Sequence, residues 1–320
     1  MIDDMRIGVL MMYDARYEGM ARITIDRNAR HYCELHGYKL FTHKIQGNEN
    51  ERPAQWQKIA KSIEILESGE VDWLMFLDLD CLVMNSTIRI ESLIDDAYSL
   101  ILPAHAVDAI DFPMEDNGFG GNNIISAMYL VKSDEAGLAI LRDVWNKNGM
   151  PEGFDSNEFD YEQRQFRITL SNPEFRKHAK IVEERKMNTS WYINNPFMAF
   201  YFIGANDMVW KPGDFIVHVT GYELDERIRM LSDLNYFSGG GVSKMRLEGG
   251  KLYLSPLESI LQVRIVVKDM DRNIMTQVAF ESLEYRIDYF IYLPNDAEKV
   301  IVEAYDADGK MISNRLVEKH

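Results

Sequence analysis

Residues 72–85, DWLMFLDLDCLVMN, are the part of this chain that indicates its fold class most clearly. Its first apolar run, residues 73–77, is short and continuous, which is typical of a strand buried on both faces of a parallel sheet. Asp78 and Asp80 follow directly, and because unpaired buried charge is costly, these two acids need a function. Alternate residues of an extended chain point the same way, so we expect both carboxylates to converge just past the strand. Open α/β sheets bind their ligands at that edge.

Two converging carboxylates indicate a site for Mn²⁺ or Mg²⁺, because these hard cations prefer oxygen ligands and phosphates complete their coordination shell. The same acid pattern also occurs in solvated turns at strand ends, but the apolar run before it favours the metal site. The formal net charge of −16 argues against nucleic acid or an anionic membrane as the main partner. An anionic phosphate ligand therefore needs the help of a divalent cation.

The composition fits a folded protein with a sizeable core. The chain has 320 residues, 46% of them hydrophobic, enough for one large domain or two. Its two cysteines, Cys33 and Cys81, form no cluster of the kind that binds zinc or builds a disulfide scaffold. No signal peptide or membrane span is evident. We expect a soluble, cytoplasmic protein, with attachment to a membrane through partners as the alternative; the oligomeric state stays open.

Strand-like and helix-like patterns alternate along the first half of the chain. We predict strands at 6–12, 38–43 and 73–77 and helices at 20–35 and 54–68, with Gly37 as a left-handed helix cap. This order predicts a mostly parallel sheet flanked by helices. Further helices are predicted at 88–94, 134–146 and 161–170, and further strands at 99–104, 124–131, 180–182, 191–193 and 215–219.

The composition changes after about Tyr236, where Gly239-Gly240-Gly241 indicates a hinge and residues from 251 onward alternate with period two. Asp308-Gly309 is a hairpin signal. We predict a small antiparallel β-sandwich here, and we divide the chain into domains at 1–238 and 243–320. Its aromatic residues are expected mostly in the core, with an exposed face for sugar stacking or subunit packing as the alternative. They are Tyr253, Phe280, Tyr285, Tyr289, Phe290, Tyr292 and Tyr305.

Several short motifs occur in order over roughly the first two thirds of the chain. They are Tyr32-Cys33 through His36-Gly37-Tyr38, Trp56 with Lys58, FLDLDCLVMN, Gly118-Phe119-Gly120-Gly121-Asn122, Glu162-Gln163, and His218 through Gly221. Together they resemble the galactosyl/xylosyltransferase family of GT-A fold glycosyltransferases. That family includes galactomannan galactosyltransferases, xyloglucan xylosyltransferases and yeast Golgi mannosyltransferase subunits.

The resemblance implies transfer of a hexose or pentose from a nucleoside-diphosphate sugar, UDP-linked, to a glycan acceptor with retention. It implies that Asp78, Asp80 and His218 hold Mn²⁺ or Mg²⁺, and that Glu162 and Gln163 act at the donor sugar. The alternatives are that His218 is a core histidine without a ligand and that Lys58 is an exposed helix residue. The residues assigned to the nucleotide or donor are Met12, Tyr13, Asp14, Arg16, Tyr17, Lys58, Leu79, Gly120, Gly121, Asn122 and Gly221.

Two departures from the family pattern bear on the function. Glu162 stands where the family has aspartate, and an acidic run replaces the lysine that often follows the His-x-x-Gly segment. Arg227, Arg229 or Lys211 are candidate substitutes for that lysine. A catalytically degenerate sugar- or nucleotide-binding protein is one alternative function. A sugar nucleotidyltransferase is another, but MMYDARYEGM after the first strand lacks the Gly-rich basic loop that such an enzyme needs.

Overall fold

The computed structural model describes residues 5–47, 52–104, 124–149, 161–191, 210, 213–237, 243–256, 260–283, 287, 289–293, 297–305, 307–309 and 311–319. The predicted loop at 105–121, the segment Gly120-Gly121-Asn122, Lys211 and the triple-glycine hinge lie outside these residues.

The N-terminal strands form two sheets. Their bounds are β1 (Ile7–Asp14), β2 (Lys39–Ile45), β3 (Trp73–Leu77), β4 (Cys81–Val83), β5 (Leu100–Ala104), β6 (Met128–Lys132), β7 (Ala179–Glu183), β8 (Thr189–Ser190) and β9 (Ile216–His218). The central sheet has six strands in the order β2-β1-β3-β6-β5-β7, and β4-β9-β8 form a smaller sheet beside it. Only β6 runs antiparallel to its neighbours in the central sheet. The predicted mostly parallel sheet is therefore confirmed.

Helices flank the central sheet. Their bounds are α1 (Glu18–Ile23), α2 (Arg30–His36), α3 (Ala54–Glu67), α4 (Glu135–Asn146), α5 (Tyr161–Ser171), α6 (Pro173–Arg176), α7 (Glu184–Met187) and α8 (Leu224–Phe237). A π-helical turn, Thr24–Ala29, joins α1 to α2. Gly37 ends α2 with φ of +75°, a left-handed conformation that glycine adopts without steric cost, as predicted.

The central strands are buried on both faces, as the run at 73–77 predicts. Val9 and Met11 of β1 pack with α2 on one face, while Leu10 and Met12 face α3, α4 and α5 on the other. Side chains alternate along a strand, so each strand needs apolar residues at consecutive positions to fill both layers. No helix in the described ranges combines the length and apolarity that crossing a membrane requires.

Three sequence-based boundaries need correction. The predicted helix at 88–94 is only a 3₁₀ turn, Ile90–Ser92, because two tyrosines bond the backbone there: Tyr32 Oη donates to Ile88 O and Tyr38 Oη accepts from Ile90 N. The strand predicted at 124–131 begins only at Met128, in β6. Of the strand predicted at 191–193, Trp191 lies just after β8, which pairs with β9, and residues 192 and 193 lie outside the described residues.

Asn28, in the π turn, bonds to the backbone of β4. Its Oδ1 accepts a hydrogen bond from Val83 N at 2.8 Å and its Nδ2 donates to Val83 O at 3.0 Å. The side chain is buried, at 5% exposure. The π turn thus fixes the helical segment 18–36 against the small sheet.

The C-terminal strands form the predicted antiparallel sandwich. Their bounds are β10 (Ser243–Glu248), β11 (Lys251–Pro256), β12 (Ile260–Lys268), β13 (Ile274–Leu283), β14 (Tyr289–Tyr292), β15 (Lys299–Tyr305) and β16 (Met311–Glu318). They make two sheets, β10-β11-β14 and β13-β12-β15-β16. Leu252 and Ile291 of the first sheet share a buried core with Ile265 and Val302 of the second. Asp308-Gly309 lies in the predicted hairpin between β15 and β16.

The expectation that the sandwich aromatics lie mostly in the core holds only for Phe280 and Tyr289, which are half-buried and pack against it. Phe290 is 47% exposed and Tyr292 67% exposed, and no described member of the predicted set is fully buried. Leu252, Leu254 and Ile291 occupy the inward positions, and alternation turns their neighbours outward. Tyr253, Phe290 and Tyr292 therefore lie on the outer face of β11 and β14, where Lys251 Nζ lies over the rings of Phe290 and Tyr292 at 4.7 and 5.1 Å.

The sandwich packs against α2. Leu35 is buried with Ile301 and Leu316, while Lys299 Nζ lies 2.6 Å from Glu34 Oε2. The predicted boundary falls between α8 and β10 and stays a prediction. These contacts show that the two parts share a surface as well as a linker.

Candidate functional site

Asp78, Leu79 and Asp80 form a tight turn between β3 and β4. Cys81 N donates to Asp78 O at 3.1 Å, which closes the turn, and Asp78 N donates to Ala127 O at 2.7 Å. The extended geometry assumed from the sequence is therefore wrong for these three residues. Because a turn changes the direction of successive side chains, the two carboxylates pair with different partners: Asp78 faces Lys58, and Asp80 faces β9 and α8.

Lys58 is a buried cation at the centre of an acidic cluster. Its Nζ lies 2.7 Å from Glu162 Oε1 and 3.5 Å from Asp78 Oδ1, and donates to Ser126 O at 3.0 Å. Its side chain is 7% exposed, so the alternative of an exposed helix lysine is excluded. Burial opposes its charge, but the carboxylates of Asp78 and Glu162 raise the pKa of Lys58 above its ordinary value. The structure thus places Lys58 under the strand end, as the counter-charge of two acids.

Burial raises the pKa of Asp78 to about 6, against the opposing effect of Lys58. Asp80 contributes to the same shift because a second carboxylate nearby disfavours the charged form. One cation thus serves two acids, of which Asp78 is the more exposed.

Ser126 connects the two residues assigned to catalysis. Its Oγ donates to Glu162 Oε1 at 2.9 Å, and its backbone N donates to Gln163 Oε1 at 3.0 Å. Both acceptors begin α5, and Glu162 is only 5% exposed. The structure therefore brings Glu162 and Gln163 to the Lys58 cluster, with the Gln163 amide oxygen held by Ser126.

Asp80 is paired with two cationic side chains. The register of β4 with β9 sets Cys81 opposite His218, which places His218 Nε2 3.2 Å from Asp80 Oδ1. Arg227 Nη1, from α8, lies 2.9 Å from Asp80 Oδ2. Burial acts against both charges, yet the pair lowers the pKa of Asp80 and raises the pKa of His218. Both changes favour a charged pair in the protein as described.

The segment between β9 and α8 turns sharply at Gly221. Its φ is +79°, a left-handed conformation that disfavours any residue with a Cβ. The turn brings the carbonyl of Tyr222 to Arg227, whose Nη2 donates to it at 2.8 Å. The left-handed backbone conformation therefore explains why the last residue of the His-x-x-Gly segment is glycine.

The side chains around Asp80 include donor atoms that a divalent cation could use. Ligand atoms of Asp80, Cys81 and His218 lie within 4.8 Å of one another. Carboxylate oxygen and imidazole nitrogen suit Mn²⁺, but a thiol is a soft ligand. Burial raises the pKa of the Cys81 thiol well above its ordinary value, so it stays protonated. Asp80 and His218 are therefore the protein ligands that fit, and Asp78 lies outside this set.

The residues assigned to the nucleotide lie near the C-terminal edge of β1. Asp14 Oδ1 accepts from Arg16 N at 2.8 Å and so caps the turn after the strand. Tyr17 and Leu79 pack in one apolar cluster with α8, although they are far apart in sequence. Met12 and Tyr13 pack within the sheet and its helices. Gly120, Gly121 and Asn122 lie outside the described residues.

Three side chains of the site were either missed or given no priority in the prediction from the sequence. Ser126 is the single polar residue in the apolar run IISAMYLV, a signal that was available. Arg227 was one of three candidate cations, and the sequence gives no reason to rank it first. Glu184, 3% exposed, accepts from Ser190 Oγ at 3.0 Å next to His218 and had no signal in its charged surroundings.

The profile of the galactosyl transferase GMA12/MNN10 family matches residues 6–103. This match confirms the resemblance over the segment that holds β1 to β5, including Lys58, Asp78 and Asp80. It supports a glycosyltransferase with a role in carbohydrate biosynthesis. His218, Glu162, Gln163 and Arg227 lie beyond the matched residues.

Solved structures of glycosyltransferases are similar to this chain at low identity. One is a glycosyltransferase involved in the glycosylation of the major capsid of PBCV-1, 20% identical, covering 71% of this chain and 99% of its own, with a TM-score of 0.49. Another is the glycosyltransferase GlyE of Streptococcus pneumoniae TIGR4, 14% identical over 72% of this chain, with a TM-score of 0.48. This chain spans 60% of the GlyE chain. No curated protein sequence matches the chain.

Proposed function

We propose, on the premise of the glycosyltransferase family match, that this protein transfers a hexose or pentose from a UDP-linked sugar to a glycan acceptor. We further propose that Mn²⁺ or Mg²⁺ is required and that the configuration of the sugar is retained. The observation that carries the proposal is the meeting of Asp80 and His218, 3.2 Å apart, at the end of a central strand. Ligands of open α/β sheets bind at that edge.

Asp80 and His218 would hold the cation, and its remaining coordination positions would be filled by water and by the diphosphate of the donor. When bound, the cation would supply Lewis-acid stabilisation of the leaving diphosphate. Lys58 positions Asp78 and Glu162, because it contacts both carboxylates and is itself buried. Tyr17 and Leu79, in one apolar cluster at the same edge, support the assignment of the nucleotide to this region.

The environment of Glu162 supports retention without a covalent enzyme intermediate. A carboxylate nucleophile must reach the anomeric carbon, but Glu162 is 5% exposed and its Oε1 is bonded to Lys58 and Ser126. An amide such as Gln163 is a poor nucleophile. We therefore favour attack by the acceptor on the same face from which the diphosphate leaves, with Gln163 beside the developing positive charge.

The direct test is to incubate the protein with a panel of nucleotide sugars and to measure the released nucleoside diphosphate. We expect release from a UDP-sugar with Mn²⁺ present, and loss of that release in excess EDTA. Full activity in EDTA would contradict the metal requirement. Saturable UDP binding without turnover of any donor, with or without added glycan, would instead indicate the degenerate binding protein.

Gln163→Ala is expected to lower kcat by about 10²-fold while the donor KM changes little, since a group that acts only on developing charge contributes to kcat. Steady-state kinetics with the donor identified by the panel would measure both constants. Ser171→Ala, at the exposed end of the same helix, is the matched control. An unchanged kcat would show that Gln163 only holds the backbone of Ser126.

A further inference from the structure

Arg227 is a basic residue that contacts the proposed metal ligand Asp80 directly. It lies in the first turn of α8, and its side chain is 21% exposed. Nη1 donates to Asp80 Oδ2 at 2.9 Å and Nη2 donates to Tyr222 O at 2.8 Å. Its third nitrogen, Nε, is buried and has no acceptor among the described residues. The guanidinium is therefore held at Asp80 with its Nε–H unused.

These contacts leave Asp80 without a free oxygen. Oδ1 faces His218 Nε2 and Oδ2 accepts from Arg227, so both oxygens are engaged within the protein. A cation that binds Asp80 therefore competes with these partners for the carboxylate. Replacing Arg227 is favoured, because a guanidinium left beside a divalent ion would repel it, and this site is poorly screened by solvent.

We propose that Arg227 and a divalent cation are alternative partners of Asp80, and that Arg227, once displaced, binds the diphosphate of the donor. The inference rests on the proposed function. A released arginine would present Nε–H and Nη–H side by side, the fork that matches two phosphate oxygens, and so would give the unused Nε a partner. The diphosphate lies within reach because it completes the coordination of the same cation.

The arrangement predicts opposite changes in two affinities when Arg227 is replaced by methionine, which keeps much of the apolar stem. Without nucleotide, Arg227→Met should bind Mn²⁺ about tenfold more tightly, because the competing guanidinium is gone. In saturating Mn²⁺, the same variant should bind UDP about tenfold more weakly, because a charged two-point contact is lost. Electron paramagnetic resonance of free Mn²⁺ measures the first affinity, and titration calorimetry with UDP measures the second.

Arg229→Met is the matched control, because Arg229 is exposed on the same helix and the substitution removes the same charge. Both of its affinities should stay within about twofold of the unmodified protein. Arg227→Lys should keep the competition with Mn²⁺ but lose part of the UDP affinity, since lysine lacks the fork. Circular dichroism of each variant checks that the fold is kept.

The outcomes separate this inference from the function on which it rests. Tighter Mn²⁺ binding together with weaker UDP binding supports it. Unchanged or weaker Mn²⁺ binding by Arg227→Met overturns the exchange at Asp80, and unchanged UDP affinity overturns the diphosphate contact. If the unmodified protein binds no Mn²⁺ and Asp80→Asn behaves identically, the proposed metal-dependent function itself fails.

Discussion

Asp80→Asn is expected to reduce donor turnover by about 10³-fold and to abolish measurable Mn²⁺ binding. Asparagine preserves the size of the side chain but carries no charge. It cannot balance His218 and Arg227, which approach the carboxylate at 3.2 and 2.9 Å, and it is a much weaker ligand for a divalent ion. The measurements are UDP release from the donor identified in the panel and Mn²⁺ titration without nucleotide.

Asp72→Asn is the matched control for this variant. Asp72 precedes β3 while Asp80 follows it, so the same charge is removed at the opposite end of one strand. Asp72 pairs with Arg6 at 2.6 Å on the surface, and its loss should leave turnover unchanged. Normal turnover by Asp80→Asn would show that the metal, if needed, binds elsewhere.

Lys58→Met is expected to lower the free energy of unfolding by about 3–5 kcal/mol and to eliminate activity. Methionine fills much of the volume but leaves the buried carboxylate of Glu162 without its cation, and loss of one partner of a buried pair is strongly destabilising. Equilibrium unfolding in urea measures the effect on stability. Lys61→Met, one turn along the same helix at a 25% exposed site, should cost less than about 0.5 kcal/mol.

The double variant Lys58→Met with Glu162→Gln tests the reason for the loss. A neutral amide no longer needs the ammonium, so much of the lost stability should return although activity does not. Equal destabilisation by the single and double variants would assign the cost to packing around Phe76, whose ring lies 4.9 Å from Lys58 Nζ.

The first half of the fold could be predicted because its patterns are strong and local. The run at 73–77 and the helical period at 54–68 each match the structure to within one residue, and Gly37 adopts the predicted left-handed cap. The failures are places where side chains from distant segments replace local bonding. Residues 88–94 have a helical pattern, but the hydroxyls of Tyr32 and Tyr38 bond their backbone instead.

The sequence was sufficient to predict several residues of the site, but less so to predict which of them contact each other. The sequence indicated Asp80 and His218, which meet, but it could not show that a turn would direct Asp78 to Lys58 instead. Period two in the sandwich predicted strands without showing which face of each strand is inward, so Phe290 and Tyr292 were expected inside. Arg227 reaches Asp80 across 147 positions of sequence, a distance over which no local pattern carries information.

The contact of Asn28 with Val83 bears on self-association. β4 is an edge strand of the sheet β4-β9-β8, and an open edge offers unpaired N–H and C=O groups to other chains. The Asn28 amide has the same donor and acceptor pair as a peptide group, and it engages both groups of Val83 at 2.8 and 3.0 Å. One side chain thus takes the place of a neighbouring strand at Val83. It prevents another molecule from extending the sheet at the edge that also carries Cys81, opposite His218.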